Sequence, residues 1–193
     1  MPLALNMNGE QIKTYLLDDF KNSMINDIKP CLNLASQFGG YFAVPRLVLS
    51  YIDYLGTLYR SGHRAFLEKV FGNIDSNYTT YGRLFWEIYR NGLIHRFEPS
   101  ILRNSGQEIT WLVHKGDRQT LLQNGLQLIH LRPQKISIRN WKQPISIKCL
   151  YYDLLDAIDH YALLVSQNFQ IEDNFRNAAN RLQQPTETTL QWW

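Results

Sequence analysis

The sequence predicts a mainly α-helical bundle that carries a small β-hairpin or sheet insertion. Two patterns predict this fold class: apolar residues recur at helical spacing through most of the chain, and they alternate with polar ones over one stretch in its middle. The chain has 193 residues, of which 45% are apolar, which is enough for one substantial core. We therefore expect a single domain over residues 1–184, a β-rich insertion at about 107–144 within it, and a tail at 185–193.

Four helices are predicted before the insertion, because apolar side chains recur at positions i, i+3 and i+4 in four stretches. These stretches lie at about residues 12–28, 44–58, 66–70 and 79–90. Pro30 is expected to end the first helix, since proline lacks the amide donor that a helix interior needs. Pro45 is compatible with the second helix, because the first turn of a helix has no intrahelical amide partners to lose.

The middle of the chain follows a different period. Apolar residues alternate with polar ones around Trp111, and a second extended stretch begins near Leu126, so a hairpin or small sheet is predicted. Residues 135–139 and 145–148 form a further strand-like pair, although Pro144 weakens its second member. From residue 147 to 165 the helical pattern is the strongest in the chain and should close the bundle, and a more polar helix is predicted at 171–182.

The charge of the chain permits a polyanionic partner without establishing one. The formal net charge is +3 and the sequence pI is near 8.8, which is mildly basic. Residues 118–152 contain no Asp or Glu, so a positive surface is predicted there. Both a solvated surface and an RNA contact fit this pattern. Its basic residues are Arg118, Arg132, Lys135, Arg139, Lys142 and Lys148.

Other patterns exclude several classes of protein. Cys31 and Cys149 are isolated from each other and from any histidine at ligand spacing, so neither a zinc site nor a disulfide framework is indicated. The first residues lack a basic region and a long apolar stretch, and no apolar run is long enough to cross a bilayer. We expect a cytoplasmic protein with no membrane association, no metal and no cofactor.

The most informative segment is Tyr89–His95, where a helix is predicted to end. It places an arginine, Arg90, beside a histidine, His95, within about one turn. Guanidinium groups bind phosphate oxygens through a planar set of donors, and imidazole exchanges protons near neutral pH, so the pair suits phosphodiester cleavage. Positions five apart lie about 140° around an ideal helix, but Gly92 permits a bend that would bring both side chains to one pocket.

This spacing of Arg90, Asn91 and His95 resembles the Arg-x4-6-His signature of HEPN domains. The helical pattern extends the resemblance over roughly residues 8–97 and 146–184. The resemblance implies an up-and-down helical bundle, a homodimer in which the motif faces its own copy, and in many members a metal-independent endoribonuclease. The β-rich insertion is extra to the plain HEPN-like bundle.

The same resemblance implies a mechanism and a set of site residues. The 2′-hydroxyl of the RNA attacks the phosphorus, Arg90 stabilises the transition state, and His95 acts as general base or acid. Asn91 orients His95 or a phosphate oxygen. A second His95 from a two-fold-related subunit would supply the other proton role. The basic residues expected to contact RNA are Arg60, Arg96, Arg139 and Lys142.

Two function classes stay open on the sequence. In the first, the chain is a toxin- or defence-type endoribonuclease that binds RNA and is held in check by a regulatory partner, such as a nucleotidyltransferase antitoxin. In the second, it is a non-catalytic HEPN-like module that binds or regulates another protein. The Arg90 and His95 side chains would discriminate between them, since an open basic cleft favours the enzyme and burial among apolar neighbours favours the binding module.

Overall fold

In a computed structural model of the chain, helices come both before and after a small mixed sheet along the sequence. It describes residues 6–35, 41–96, 98–122 and 125–183, except for the side chains of residues 94–96. The predicted tail at 185–193 lies outside the described residues. The mainly α-helical fold class is confirmed, and so is the presence of a small sheet in the middle of the sequence.

The first half of the chain is helical. Its α-helices are α1 (Gly9–Thr14), α2 (Lys21–Leu34), α3 (Ala43–Leu58), α4 (Gly62–Lys69), α5 (Ser76–Phe85) and α6 (Asn91–Arg96). Two π-helical segments, Tyr15–Phe20 and Trp86–Arg90, join α1 to α2 and α5 to α6, and a 3-10 turn at Phe71–Asn73 lies between α4 and α5. After the sheet follow α7 (Ile147–Gln167) and α8 (Phe169–Gln183).

The helix break predicted at Pro30 is wrong, because Pro30 lies inside α2. A proline leaves the carbonyl four residues earlier, that of Asn26, without its amide partner. Both Pro30 and Asn26 are on the exposed face of α2, where water can satisfy that carbonyl, while Met24, Ile28 and Leu32 remain buried on the other face. The apolar stripe therefore continues past the proline.

Six short strands form the insertion. They are β1 (Leu102–Asn104), β2 (Gln107–His114), β3 (Gln119–Leu121), β4 (Gln127–Ile129), β5 (Gln134–Lys135) and β6 (Asn140–Ser146). The main sheet has the order β1-β2-β6-β5, in which β2 and β6 run parallel and the other two pairs are antiparallel, while β3 and β4 form a separate hairpin.

The strand pair predicted at 135–139 and 145–148 is displaced in the structure. Its second member is instead β6, which runs through Pro144 and ends at Ser146. Ser146 is the N-cap of α7, and its Oγ accepts a hydrogen bond from the Cys149 amide at 3.1 Å. An N-cap of this kind satisfies an amide that has no partner within the helix, so the chain leaves the sheet for α7 at this point.

Tyr89 attaches this sheet to the helix that leads to Arg90. Its ring is fully buried, and its hydroxyl donates to the Gln143 carbonyl at 2.6 Å and accepts from the Leu112 amide at 3.3 Å. The two backbone partners belong to the parallel strands β6 and β2. The residue immediately before Arg90 is thus held by both central strands of the sheet.

A buried polar network ties the insertion to α5 and α7. The Tyr78 hydroxyl donates to Asp153 Oδ2 at 2.8 Å, and Arg118 forms an ion pair with the same carboxylate. His130 is fully buried, and its Nδ1 accepts from the Ser146 amide at 3.0 Å, which leaves Nε2 as the ring donor beside the Tyr78 hydroxyl. Burial by itself would raise the pKa of Asp153, but hydrogen bonds from His130 and Arg118 outweigh it and lower that pKa.

Candidate functional site

Arg90 is the last residue of the π-helical segment and lies against α3. Its Nη2 donates to Asp53 Oδ2 at 2.9 Å, and its guanidinium carbon is 5.8 Å from the centre of the Trp86 ring. The side chain is 27% exposed. The carboxylate and the aromatic ring therefore hold the guanidinium in one orientation while part of it remains open to solvent.

A histidine does lie beside this arginine, and it is His63 from α4. The imidazole ring stacks on Trp86 with 3.8 Å between ring centres and 6° between planes. Its Nδ1 is 3.7 Å from Asp53 Oδ1, so one carboxylate faces both the His63 ring and the Arg90 guanidinium. Burial is the largest influence on the pKa of His63 and lowers it. Asp53 and Glu87 raise this pKa and Arg90 lowers it, and the net shift is downward. The ring is neutral at pH 7.

A glycine on α3 allows this approach. A Cβ placed on Gly56 would lie 2.5 Å from the His63 amide nitrogen and 2.6 Å from its Cα. Gly56 is three residues after Asp53, so the two lie on one side of α3. The missing side chain lets the start of α4 reach α3, and this contact sets the His63 ring next to the Asp53 carboxylate.

Two concavities adjoin the cluster of Asp53, His63, Trp86 and Arg90. The first has a volume of about 180 Å³ and is lined by polar side chains and the Trp86 ring; its polar residues are His63, Arg64, Glu68, Arg83 and Glu87. The second has a volume of about 270 Å³ and is lined by Asp53 and Arg90 together with Ser50, Tyr54 and Thr57. The second concavity thus gives access to Arg90, and the first gives access to the His63 ring beside Arg64 and Arg83.

The three residues of the predicted motif differ in what the structure shows of them. The Arg90 side chain is partly exposed, as described above. The side-chain nitrogen Nδ2 of Asn91 donates to Glu87 Oε2 at 3.2 Å on the exposed side of the helix. The backbone of His95 belongs to α6, but its side chain and that of Arg96 lie outside the described residues. Convergence of Arg90 with His95 therefore stays a prediction.

The chain does not leave the helix at Asn91-Gly92, because both residues are helical in α6. The irregular segment is the π-helix directly before them, Trp86–Arg90. Gly92 has another role: a Cβ there would lie 2.5 Å from the Ser100 amide nitrogen. It allows the chain after α6 to pack closely across the helix, where the Ser100 amide donates to the Ile88 carbonyl at 2.6 Å.

Of the four residues predicted to contact RNA, the three with described side chains line neither of the concavities beside the cluster. Arg60 donates from Nη1 to Asn174 Oδ1 at 3.3 Å, which links the end of α3 to α8. Arg139 lines a separate groove with Arg103 and Glu108 at the end of the sheet, and Lys142 lies on β6.

The acid-free segment 118–152 is also less positive than the sequence suggests. Acidic residues outside the segment pair with two of its six basic residues. Arg118 pairs with Asp75 and Asp153, and Lys148 pairs with Asp117 at 2.6 Å. The positive surface is therefore reduced to the remaining four side chains.

Sequence reasoning missed both Asp53 and His63. In the sequence, His63 and Arg64 beside Arg60 fit either a phosphate-binding track or a solvated turn between helices, and Asp53 belongs to no motif. One signal was present: Asp53 is the single acidic residue of Ala43–Leu58, a largely apolar helix that also contains Gly56. An isolated charge beside a glycine in such a helix indicates a specific partner on a closely packed neighbour.

The comparisons with known proteins add no relative to this description. No family model, no curated protein and no solved structure matches the chain. In the part of the chain that the structure describes, no three His, Cys, Asp or Glu side chains are grouped so that they could hold a metal ion. None of the helices described has both the length and the apolar content needed to cross a membrane.

Proposed function

We propose that the chain is a metal-independent endoribonuclease of the HEPN-like toxin or defence kind, with Arg90 as its phosphate-binding residue. The observation that carries this proposal is the arrangement of Arg90: a partly exposed side chain that is oriented by Asp53 and Trp86, lines one concavity, and lies near a neutral imidazole that lines a second one. A cation already oriented at the site can stabilise developing negative charge once a phosphate takes the place of its carboxylate partner.

In the proposed reaction the ribose 2′-hydroxyl is the nucleophile. Its oxygen bonds to phosphorus, the bond from phosphorus to the 5′-oxygen breaks, and the products are a 2′,3′-cyclic phosphate and a 5′-hydroxyl. Arg90 bears the charge of the pentavalent transition state, and His95 exchanges a proton as general acid or base. Asn91 orients His95 or a phosphate oxygen. A homodimer and a regulatory protein partner belong to the same proposal.

One observation favours the second candidate, a non-catalytic protein-binding module. The Arg90 guanidinium is paired with Asp53 at 2.9 Å, and that ion pair also joins α3 to the helix that carries the motif. An arginine neutralised in this way can serve helix packing alone. RNA cleavage separates the two candidates, because only the enzyme requires Arg90 to exchange its carboxylate partner for a phosphate.

The test is cleavage of a mixed-sequence single-stranded RNA in EDTA by the wild type, Arg90→Ala and His95→Ala. Arg176→Ala is the matched control, since Arg176 also pairs with a carboxylate, that of Glu172 at 2.8 Å, but on the distant helix α8. We expect Arg90→Ala and His95→Ala each to lower cleavage by on the order of 10²-fold or more, and Arg176→Ala to retain it.

Folding and dimerisation are checked for each variant by circular dichroism and by the molecular mass in solution. A wild type that leaves single-stranded and hairpin RNA intact contradicts the enzyme proposal. The binding module then becomes the better account of the Arg90–Asp53 ion pair.

A further inference from the structure

We infer that His63 is a second catalytic residue of this site, and that its imidazole takes the proton from the attacking 2′-hydroxyl of RNA while Arg90 holds the phosphate. The inference rests on the ribonuclease activity proposed above and extends it. It assigns the second proton role to a residue of the same chain, where the sequence-based mechanism takes it from the partner subunit's His95.

The first observation is the shared carboxylate. Asp53 Oδ2 accepts from Arg90 at 2.9 Å, and Asp53 Oδ1 is 3.7 Å from His63 Nδ1. A carboxylate beside one imidazole nitrogen keeps the proton on that nitrogen and leaves the other nitrogen as the base. The distance is longer than a hydrogen bond, and catalytic hydrogen bonds in ligand-free sites are commonly long and shorten when the substrate binds.

The second observation is that the His63 ring has a fixed position and an open side. The parallel stack on Trp86 and the contact between Gly56 and the His63 backbone fix the plane of the ring. The side chain is nevertheless 39% exposed and lines the 180 Å³ concavity. A histidine that served packing alone would gain nothing from this opening, whereas a base needs a substrate within reach.

The third observation is the protonation state. The charged groups that face His63 are Asp53 from α3, and Glu87 and Arg90 from the π-helical segment. Arg64, Glu68 and Arg83 line the same concavity. Burial together with Arg90 keeps the pKa of His63 below its usual value of 6.5. The ring is therefore unprotonated at neutral pH, as a general base must be.

The step balances as a proton transfer coupled to displacement. The free ring nitrogen of His63 accepts the 2′-hydroxyl proton as the new oxygen–phosphorus bond forms. The bond from phosphorus to the 5′-oxygen then breaks, and that oxygen takes a proton from protonated His95, which completes the 5′-hydroxyl. The imidazolium of His63 gives its proton to water and His95 takes one from water, so both histidines regain their starting forms.

The experiment measures kcat/KM for single-stranded RNA in EDTA between pH 5 and pH 9. It compares the wild type with His63→Gln and with His160→Gln, a partly exposed histidine of α7 outside the site. We expect His63→Gln to lose on the order of 10²-fold or more, and His160→Gln to match the wild type. In the wild type, activity should fall as the pH drops through the pKa of His63, and this fall should vanish in His63→Gln.

A separate variant guards against a purely structural effect. His63→Ala leaves a space for free imidazole, and added imidazole should restore part of its activity if a base was lost. A loss in His63→Gln with an unchanged pH profile and no rescue of His63→Ala would assign His63 to packing and overturn the inference. Circular dichroism and urea unfolding establish that each variant is folded.

The remaining outcomes are distinguishable. If the wild type cleaves RNA and His63→Gln cleaves it within threefold at every pH, the inference is overturned while the proposed ribonuclease stands. If the wild type leaves RNA intact, both are overturned. If Arg90→Ala and His63→Gln both lose activity and imidazole rescues only His63→Ala, both are supported.

Discussion

Replacing Gly56 by alanine tests how closely α3 and α4 must pack at the site. The added Cβ would lie 2.5, 2.6 and 2.8 Å from three backbone atoms of Gly62 and His63. Backbone atoms cannot rotate away as a side chain can, so the start of α4 must move by about 0.9 Å to restore a contact of 3.4 Å. Overpacking of this kind costs about 1–3 kcal/mol, and the higher helix propensity of alanine offsets at most about 1 kcal/mol.

Gly82→Ala is the matched control for this substitution. Gly82 lies inside α5, and the nearest atom to its added Cβ is the Leu67 Cβ at 3.7 Å, an ordinary contact. Alanine should therefore contribute its helix propensity without strain and stabilise the protein by about 0.5–1 kcal/mol. Replacing glycine by alanine is thus expected to lower the free energy of unfolding at Gly56 and to raise it at Gly82.

The assay is urea unfolding followed by tryptophan fluorescence, which gives the free energy of unfolding of each variant. Gly56→Ala should be less stable than Gly82→Ala by on the order of 2 kcal/mol. A Gly56→Ala protein at least as stable as the wild type would refute the reasoning. The start of α4 would then be free to shift, and the placement of His63 beside Asp53 would not depend on Gly56.

Two further predictions concern the attachment of the sheet. Asp153→Asn should lower the free energy of unfolding by on the order of 3 kcal/mol at pH 7, because it breaks a buried ion pair. Since the folded pKa of Asp153 is depressed below 3.8, this difference is present above about pH 4 and should shrink as the pH falls further, which unfolding at pH 7, 5 and 3 would show. Tyr89→Phe leaves the Gln143 carbonyl and Leu112 amide without their hydroxyl partner and should cost about 1–3 kcal/mol. The exposed Tyr152→Phe should change stability by less than about 0.5 kcal/mol, and equal losses in the two variants would contradict the role given to Tyr89.

The sequence predicted those parts of the fold that depend on local periodicity. The apolar stripes of α3 and α7 alternate with exposed positions over several turns, so their helices could be placed to within a few residues. Proline was the main source of error. Pro30 and Pro144 both lie within regular elements. At Pro30 the carbonyl that lacks an amide partner faces solvent. At Pro144 the rest of β6 is paired with the strands β2 and β5 on its two sides.

The candidate site was predictable in part for a different reason. Arg90 was found because a motif is a local pattern, and its place near a helix end could be inferred from the residues around it. Asp53 and His63 come from other elements, and their meeting with Arg90 depends on how α3, α4 and the π-helical segment pack. Periodicity and spacing do not encode such a meeting. The sequence indicates it only through the lone acidic residue Asp53 near Gly56, and the contact of Gly56 with His63 explains that pattern once the structure is known.

The π-helical segment Trp86–Arg90 has a consequence for how the site can change by insertion and deletion. A π-turn accommodates one residue more than an α-turn, and each residue turns a helix by about 100°. Because the wide turn holds the extra residue within a single turn, the residues after it keep the faces they would have in a regular helix. Removing one residue between Phe85 and Arg90 should therefore restore α-helical hydrogen bonds and leave Arg90 beside Asp53. The site can in this way tolerate a change in the length of one turn that a regular helix could not.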